Sequence, residues 1–200
     1  LNTVVTADVN GDGIDEFLVL DENSQLTLLT ANGHQEWSYL SPRPISTIGA
    51  LSGSDALNPV QDIVMAGLGH LMLLDSEGNE LWRVPVPDTA VPVETGSYDF
   101  DRDGIEDILV LLASGQLLAY SPSGDNLWQF AGQENLTTNV NPHMIVDDFD
   151  GDGEDEIVLG LFTPRRFSEI LYLDDGSIQW RQAISRRITT LVAAPFTTAA

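Results

Sequence analysis

Three copies of an acidic nine-residue loop, each running straight into an apolar strand, constrain this chain more than any other feature. They are Asp8-Val9-Asn10-Gly11-Asp12-Gly13-Ile14-Asp15-Glu16, Asp99-Phe100-Asp101-Arg102-Asp103-Gly104-Ile105-Glu106-Asp107 and Asp148-Phe149-Asp150-Gly151-Asp152-Gly153-Glu154-Asp155-Glu156. Each carries oxygen-bearing side chains at positions 1, 3, 5 and 9 and a glycine at position 6. Alternating oxygens of this kind converge on one point, and a hard cation such as Ca²⁺ takes six to eight of them at roughly 2.3–2.6 Å. The glycine permits a sharp turn that brings the backbone carbonyl of position 7 round to the same point. The expected ligands are therefore Asp8, Asn10, Asp12 and Glu16 with the carbonyl of Ile14; Asp99, Asp101, Asp103 and Asp107 with that of Ile105; and Asp148, Asp150, Asp152 and Glu156 with that of Glu154. Three such loops predict three Ca²⁺ ions. An EF-hand takes its last ligand at position 12 and continues as a helix. Here Ile/Val/Leu-rich strand follows instead.

The loops belong to a longer period. Gly33, Gly78, Gly124 and Gly176 each precede a tryptophan by four residues, and Trp37, Trp82, Trp128 and Trp180 lie 45, 46 and 52 residues apart. Between the first two loops, Ser54-Asp55-Ala56-Leu57-Asn58-Pro59-Val60-Gln61-Asp62 holds the loop's place in a second repeat. Its ligands and turn glycine are replaced, so this repeat is expected to hold no ion. Within each repeat, short apolar stretches alternate with turn residues: Thr3–Val9, Glu16–Leu20, Gln25–Thr30 and Gln35–Leu40 in the first. Second strands recur at Asp62–Ala66, Asp107–Leu111 and Glu156–Gly160, and third strands at His70–Leu74, Gln116–Tyr120 and Glu169–Leu173. No stretch shows a helical period. Four short strands every 45 residues or so predict an all-β β-propeller built of four-stranded antiparallel blades. The repeats fall at approximately 1–42, 43–87, 88–136 and 137–185, and Ile188–Ala194 is expected to open a further blade. Recurrence of tryptophan at one blade position points to packing between blades.

The acidic loops followed by Phe17-Leu18-Val19, Ile108-Leu109-Val110 and Ile157-Val158-Leu159 resemble FG-GAP/VCBS repeats, the calcium-binding blades of integrin α-subunit propellers and of many bacterial surface proteins. Strands such as Leu74-Asp75-Ser76-Glu77-Gly78-Asn79-Glu80-Leu81-Trp82 also resemble the PQQ-like repeat of quinoprotein propellers. The resemblance implies a ring of seven or eight blades, so the remainder of the propeller is expected in the same or another chain. It also implies a ligand, protein or glycan, on the face of the variable loops. Two connections exceed the repeat's ordinary length, Gly132–Asn141 and Phe162–Ser168, and in an up-and-down blade both emerge opposite the acidic loops. Arg165 and Arg166 in the second suit a carboxylate or an acidic sugar through forked hydrogen bonds. Neutral drift in loop length is an equal reading.

Charge narrows the partners. The net is −23, and the eight basic residues are all arginine. Such a surface disfavours nucleic acid and anionic lipid. No run of 18 apolar residues is present to insert into a membrane. Cysteine is absent. Loop sites of this class work at the millimolar calcium found outside cells, so the expected location is extracellular or cell-surface, with the periplasm as a variant. His34, His70 and His143 fall at unrelated repeat positions, and no nucleophile–base set accompanies them. The leading expectation is a non-catalytic, calcium-binding module for adhesion or ligand binding. The alternatives are the propeller portion of a secreted enzyme, of polysaccharide lyase or quinoprotein type, and a structural spacer.

Overall fold

The computed structural model describes residues 3–52, 60–87, 91–131, 142–162, 168–186 and 188–192. Among them there is no helix, and sixteen strands make four separate four-stranded antiparallel sheets. Blade 1 comprises β1 (Thr3–Ala7), β2 (Glu16–Leu20), β3 (Gln25–Leu29) and β4 (Gln35–Leu40). Blade 2 comprises β5 (Thr47–Ser52), β6 (Gln61–Gly67), β7 (His70–Leu74) and β8 (Glu80–Val84). Blade 3 comprises β9 (Pro92–Tyr98), β10 (Asp107–Leu112), β11 (Leu117–Tyr120) and β12 (Asn126–Phe130). Blade 4 comprises β13 (His143–Asp147), β14 (Glu156–Phe162), β15 (Ser168–Asp174) and β16 (Ser177–Ile184). Each sheet follows chain order, as expected where short turns join neighbouring strands. The first strands β1, β5, β9 and β13 lie next to one another along the inside of the arc.

Burial explains the strand sequences. β2 alternates, with Leu18 and Leu20 buried and Phe17 38% exposed, because one face of blade 1 has no neighbouring blade among the described residues. β10 is buried at all six positions, because blades 2 and 4 cover both of its faces. The core is accordingly three cores, one at each blade boundary. Leu18, Leu26 and Leu28 meet Ile63, Met65 and Met72. Val64, Leu71 and Leu73 meet Ile108, Val110 and Leu118. Leu109, Leu111 and Leu117 meet Ile157, Leu159 and Leu171.

The tryptophans close these boundaries, as the sequence period predicts. In each blade the third and fourth strands carry a register shift beside the tryptophan, which pairs with Leu28, Leu73, Ala119 or Tyr172. An extra residue there increases local twist and re-aims the neighbouring side chain. The Trp37 indole N–H donates to Ser76 O at 2.9 Å, and that of Trp82 to Pro122 O at 2.7 Å, each in the following blade. Beneath each ring lies a turn glycine with positive φ, Gly78 at 81° and Gly124 at 89°. A Cβ on Gly78 would stand 2.8 Å from the Trp37 ring, so the site needs glycine for space as well as for backbone. At the third boundary Trp128 lies over Gly176 and stacks on Phe100 with ring centroids 5.1 Å apart, and no acceptor for its N–H is found among the described residues. Trp180, in the last blade, is 47% exposed and stacks on Tyr172 of its own sheet.

One strand boundary is corrected. β1 ends at Ala7, two residues early, because Val9 turns into the first core and is wholly buried. Of the expected opening strand of a further blade, Ile188–Ala194, the last two residues lie outside the described residues, and 188–192 carry no strand ladder. Ile188 and Leu191 instead lie beside Gly160, with the Ile188 N–H donating to Ser168 Oγ at 2.8 Å. The physical reason is that a first strand draws its ladder from the second strand of its own blade, and none follows it among the described residues.

Candidate calcium loops

Each acidic loop joins the first and second strands of its blade, and all three share one hydrogen-bond scheme. The carboxylate at position 1 accepts the N–H of position 6: Gly13 to Asp8 at 2.8 Å, Gly104 to Asp99 at 2.8 Å and Gly153 to Asp148 at 3.0 Å. The position 3 side-chain oxygen accepts the N–H of position 5: Asp12 to Asn10, Asp103 to Asp101 and Asp152 to Asp150, at 2.9–3.2 Å. Position 5 accepts from position 7: Ile14 to Asp12, Ile105 to Asp103 and Glu154 to Asp152. Position 9 reaches back to the N–H of position 2: Val9 to Glu16, Phe100 to Asp107 and Phe149 to Glu156, at 2.9–3.0 Å. The carboxylates are thus held turned inward by the loop's own backbone.

In the third loop, oxygens of Asp148, Asp150, Asp152 and Glu156 lie within 4.8 Å of one another, and in the second those of Asp99, Asp101 and Asp107 do. Asp103 is not in the second group, and the first loop forms no such group. There the Asn10 amide donates to Glu16 Oε1 at 3.0 Å. The donor set is oxygen throughout and, in the third loop, concentrated on one point, which fits a hard cation rather than a soft one. Ile14 is 57% exposed, so what it offers the loop is backbone.

The position 9 carboxyls open the second strands and are buried, with Glu16, Asp107 and Glu156 each 2% exposed. Burial raises all three above the usual carboxylate range, and neighbouring loop carboxylates add to the rise. Asp107 is pushed up to about 6. Loss of hydration penalises the charged form, and a neighbouring negative charge does the same.

Position 6 is left-handed in every loop, with φ of 86°, 87° and 96°, as the glycines predict. Position 4 is left-handed as well, and this the sequence reading missed, although Gly11 and Gly151 are its signal. In the second loop Arg102 occupies that position at φ 60°. Its guanidinium meets Asp175 Oδ1 at 2.6 Å and Glu154 Oε2 at 3.7 Å, both in blade 4.

Ser54–Pro59 of the second repeat lie outside the described residues, as do Arg165, Arg166 and the extension Gly132–Asn141. Phe162 and Ser168, the ends of the other extension, close β14 and open β15. At the end of the blades opposite the acidic loops, a cavity of about 480 Å³ is lined by Asp21, Glu22, Ile45, Val91, Glu94 and His143, among others. There Glu94 accepts the Met144 N–H at 2.7 Å and lies 3.0 Å from His143 Nδ1, a pairing between blades that repeat position did not foretell.

Residues 99–159, which span the second and third acidic loops, match the FG-GAP-like repeat family model. No curated protein matches the sequence. Among solved structures the chain is similar to BBS1N in complex with ARL6DN, at TM-score 0.67 and 14% identity over 92% of this chain and 53% of that one. It is similar to the Dos1 propeller, at TM-score 0.65 and 13% identity over 93% and 49%. It is also similar to the V. cholerae biofilm matrix protein Bap1, at TM-score 0.63 and 21% identity over 90% and 28%. The chain thus spans about half the length of the first two and about a quarter of the third. Four sheets in chain order, joined through tryptophan and glycine, agree with those likenesses. The chain carries an FG-GAP-like repeat and folds as blades of a β-propeller.

Proposed function

We propose that this chain is a non-catalytic, calcium-stabilised propeller module that binds a protein or glycan ligand at a cell surface or in the extracellular space. The observation that carries the proposal is the third loop, where four carboxylates are aimed at one point by their own backbone. Four unneutralised carboxylates so close repel one another, at about 1 kcal/mol per close pair even in water. A divalent cation removes that cost. Asp148, Asp150, Asp152 and Glu156 would hold one ion, Asp99, Asp101, Asp103 and Asp107 a second, and Asp8, Asn10, Asp12 and Glu16 a third. Three ions would change the net charge from −23 to −17, leaving an acidic surface.

Ligand binding on the opposite face is supported by the cavity there and by concave binding sites being the general rule. Two similar structures favour a protein-facing role for the fold: one was solved with ARL6DN, and another is a biofilm matrix protein. Arg165 and Arg166 are proposed to contact an acidic group of the ligand. Calorimetric titration of the metal-stripped protein with Ca²⁺ should give three ions per chain. A stoichiometry below two would end the calcium reading, and so would an anomalous-scattering peak in the second repeat rather than in the three loops.

The same titration should depend on pH. The Asp107 carboxyl titrates at about 6 in the metal-free fold, against an ordinary carboxylate value near 3.9. Between those two values the metal-free fold binds a proton that the unfolded chain does not, so its stability falls as pH rises through this window and then levels. Ca²⁺ needs the ionised form and must displace that proton. Affinity at the second loop should therefore be weaker at pH 5 than at pH 7, with protons released on binding at the lower pH. Equal affinities at the two pH values would show that binding displaces no proton from Asp107.

A further inference from the structure

Among the described residues three non-glycine residues have positive φ, and two of them are ion-pair partners of each other across one blade boundary. They are Arg102 at 60° and Asp175 at 49°, with Nη2 and Oδ1 2.6 Å apart. Position 4 of the acidic loop is held by Gly11 and Gly151 in the other two copies, at φ 76° and 82°. Glycine takes this conformation freely, whereas a side chain with a Cβ takes it only against a steric penalty. A strained position retained without glycine points to a task for the side chain. The boundary concerned is also the one whose tryptophan has no N–H acceptor among the described residues, although Trp37 and Trp82 have theirs at the other two. The turn that would supply it is shortened here to Asp174-Asp175-Gly176, and Asp175 at its tip turns toward Arg102.

The arginine also joins two acidic loops. On its own side it sits between Asp101 and Asp103. On the far side its Nε lies 3.7 Å from the Glu154 carboxylate, at position 7 of the third loop, whose N–H is held by Asp152. We propose that Arg102 is a positioning residue that couples the second and third calcium loops, so that filling either one strengthens binding at the other. The coupling rests on the calcium reading above. A cation in the second loop fixes Asp101 and Asp103, and therefore the arginine between them. The guanidinium, anchored on Asp175 in the β15–β16 turn, then holds Glu154, whose backbone carbonyl is the position 7 ligand of the third loop. Reciprocity follows from linkage: whatever factor the second ion contributes to the third, the third contributes to the second.

The test is a cycle of calcium titrations by calorimetry on the full chain. Asp101→Ala disables the second loop, and Arg102→Gly removes the bridge while installing the residue that the other two loops carry at that position. Asp101→Ala alone should weaken binding at the third loop by about threefold, the scale of one partly exposed ion pair. In the Arg102→Gly background the same substitution should leave the third loop unchanged. The melting curve of Arg102→Gly in calcium reports that the blades remain folded. An affinity at the third loop that ignores Asp101→Ala in the wild type overturns the coupling, and so does a threefold loss that persists in Arg102→Gly. Absence of any calcium heat in the wild type overturns both the site reading and the coupling, and is recognised because no variant is needed to see it.

Discussion

Excess chelator should lower the melting temperature of the calcium-loaded protein by roughly 15–30 °C. An ion that binds only the folded chain stabilises it by about 2.7 kcal/mol at a hundredfold excess over its Kd. Three sites together rival the whole stability of an ordinary domain, which is about 5–15 kcal/mol. For a chain of this length, 1 kcal/mol moves the melting temperature by roughly 2–4 °C. Asp152→Ala should remove one site's share, about 5–10 °C by the same conversion. Its carboxylate is one of four that converge in the third loop, and it also holds the Glu154 N–H. The effect should vanish when wild type and variant are compared in chelator, apart from the loss of that hydrogen bond. A melting curve indifferent to chelator would mean that the loops hold nothing that matters to the fold.

Trp82→Ala should cost about 3 kcal/mol, the lower end of the range for truncating a large aromatic in a core. The lower end applies because Trp82 is only partly buried. Three losses combine. The ring leaves Gly124, over which it lies. Its N–H no longer satisfies Pro122 O. A void opens at the boundary between blades 2 and 3, where Leu73 and Leu118 line the same core. Chemical denaturation compared with wild type would measure the loss, and a change below 1 kcal/mol would show that the cores hold the blades together without the indoles. Trp82→Phe tests the hydrogen bond separately, because it keeps most of the ring and loses the donor.

Much of the fold is legible in the sequence because it is made of local pairings. Glu16–Leu20, Gln35–Leu40 and His70–Leu74 occupy the predicted spans, since a turn such as Asp75-Ser76-Glu77-Gly78 fixes where each strand stops. The tryptophan period announces packing between blades because one contact repeats at every joint. What escaped the reading depends on one particular juxtaposition. The Arg102–Asp175 pair spans two blades, and nothing in a nine-residue pattern says that an arginine replacing glycine at position 4 meets a shortened turn 73 positions later. Glu94 and His143 meet because their strands lie side by side at the inside of the arc. The position 9 carboxyls were read as ligands. Their second duty, holding the N–H of Val9, Phe100 and Phe149, depends on a chain reversal that only the folded loop displays.

The joint between blades has a consequence for how such a chain can change over generations. Each core is shared by two neighbours only, and each boundary requires a tryptophan on one side and a left-handed glycine on the other. A blade copied or deleted in the gene, from one tryptophan to the next, restores the same two faces at the new boundary and asks no distant residue to repack. The carboxylates of the acidic pattern can be replaced in one copy without disturbing that joint: the sequence of the second repeat has Ser54, Ala56 and Pro59 in their place, yet Ile63 and Met72 still fill the core. Copy number and the acidic side chains are therefore free to drift independently in such a gene, while the tryptophan and glycine at each described boundary are not.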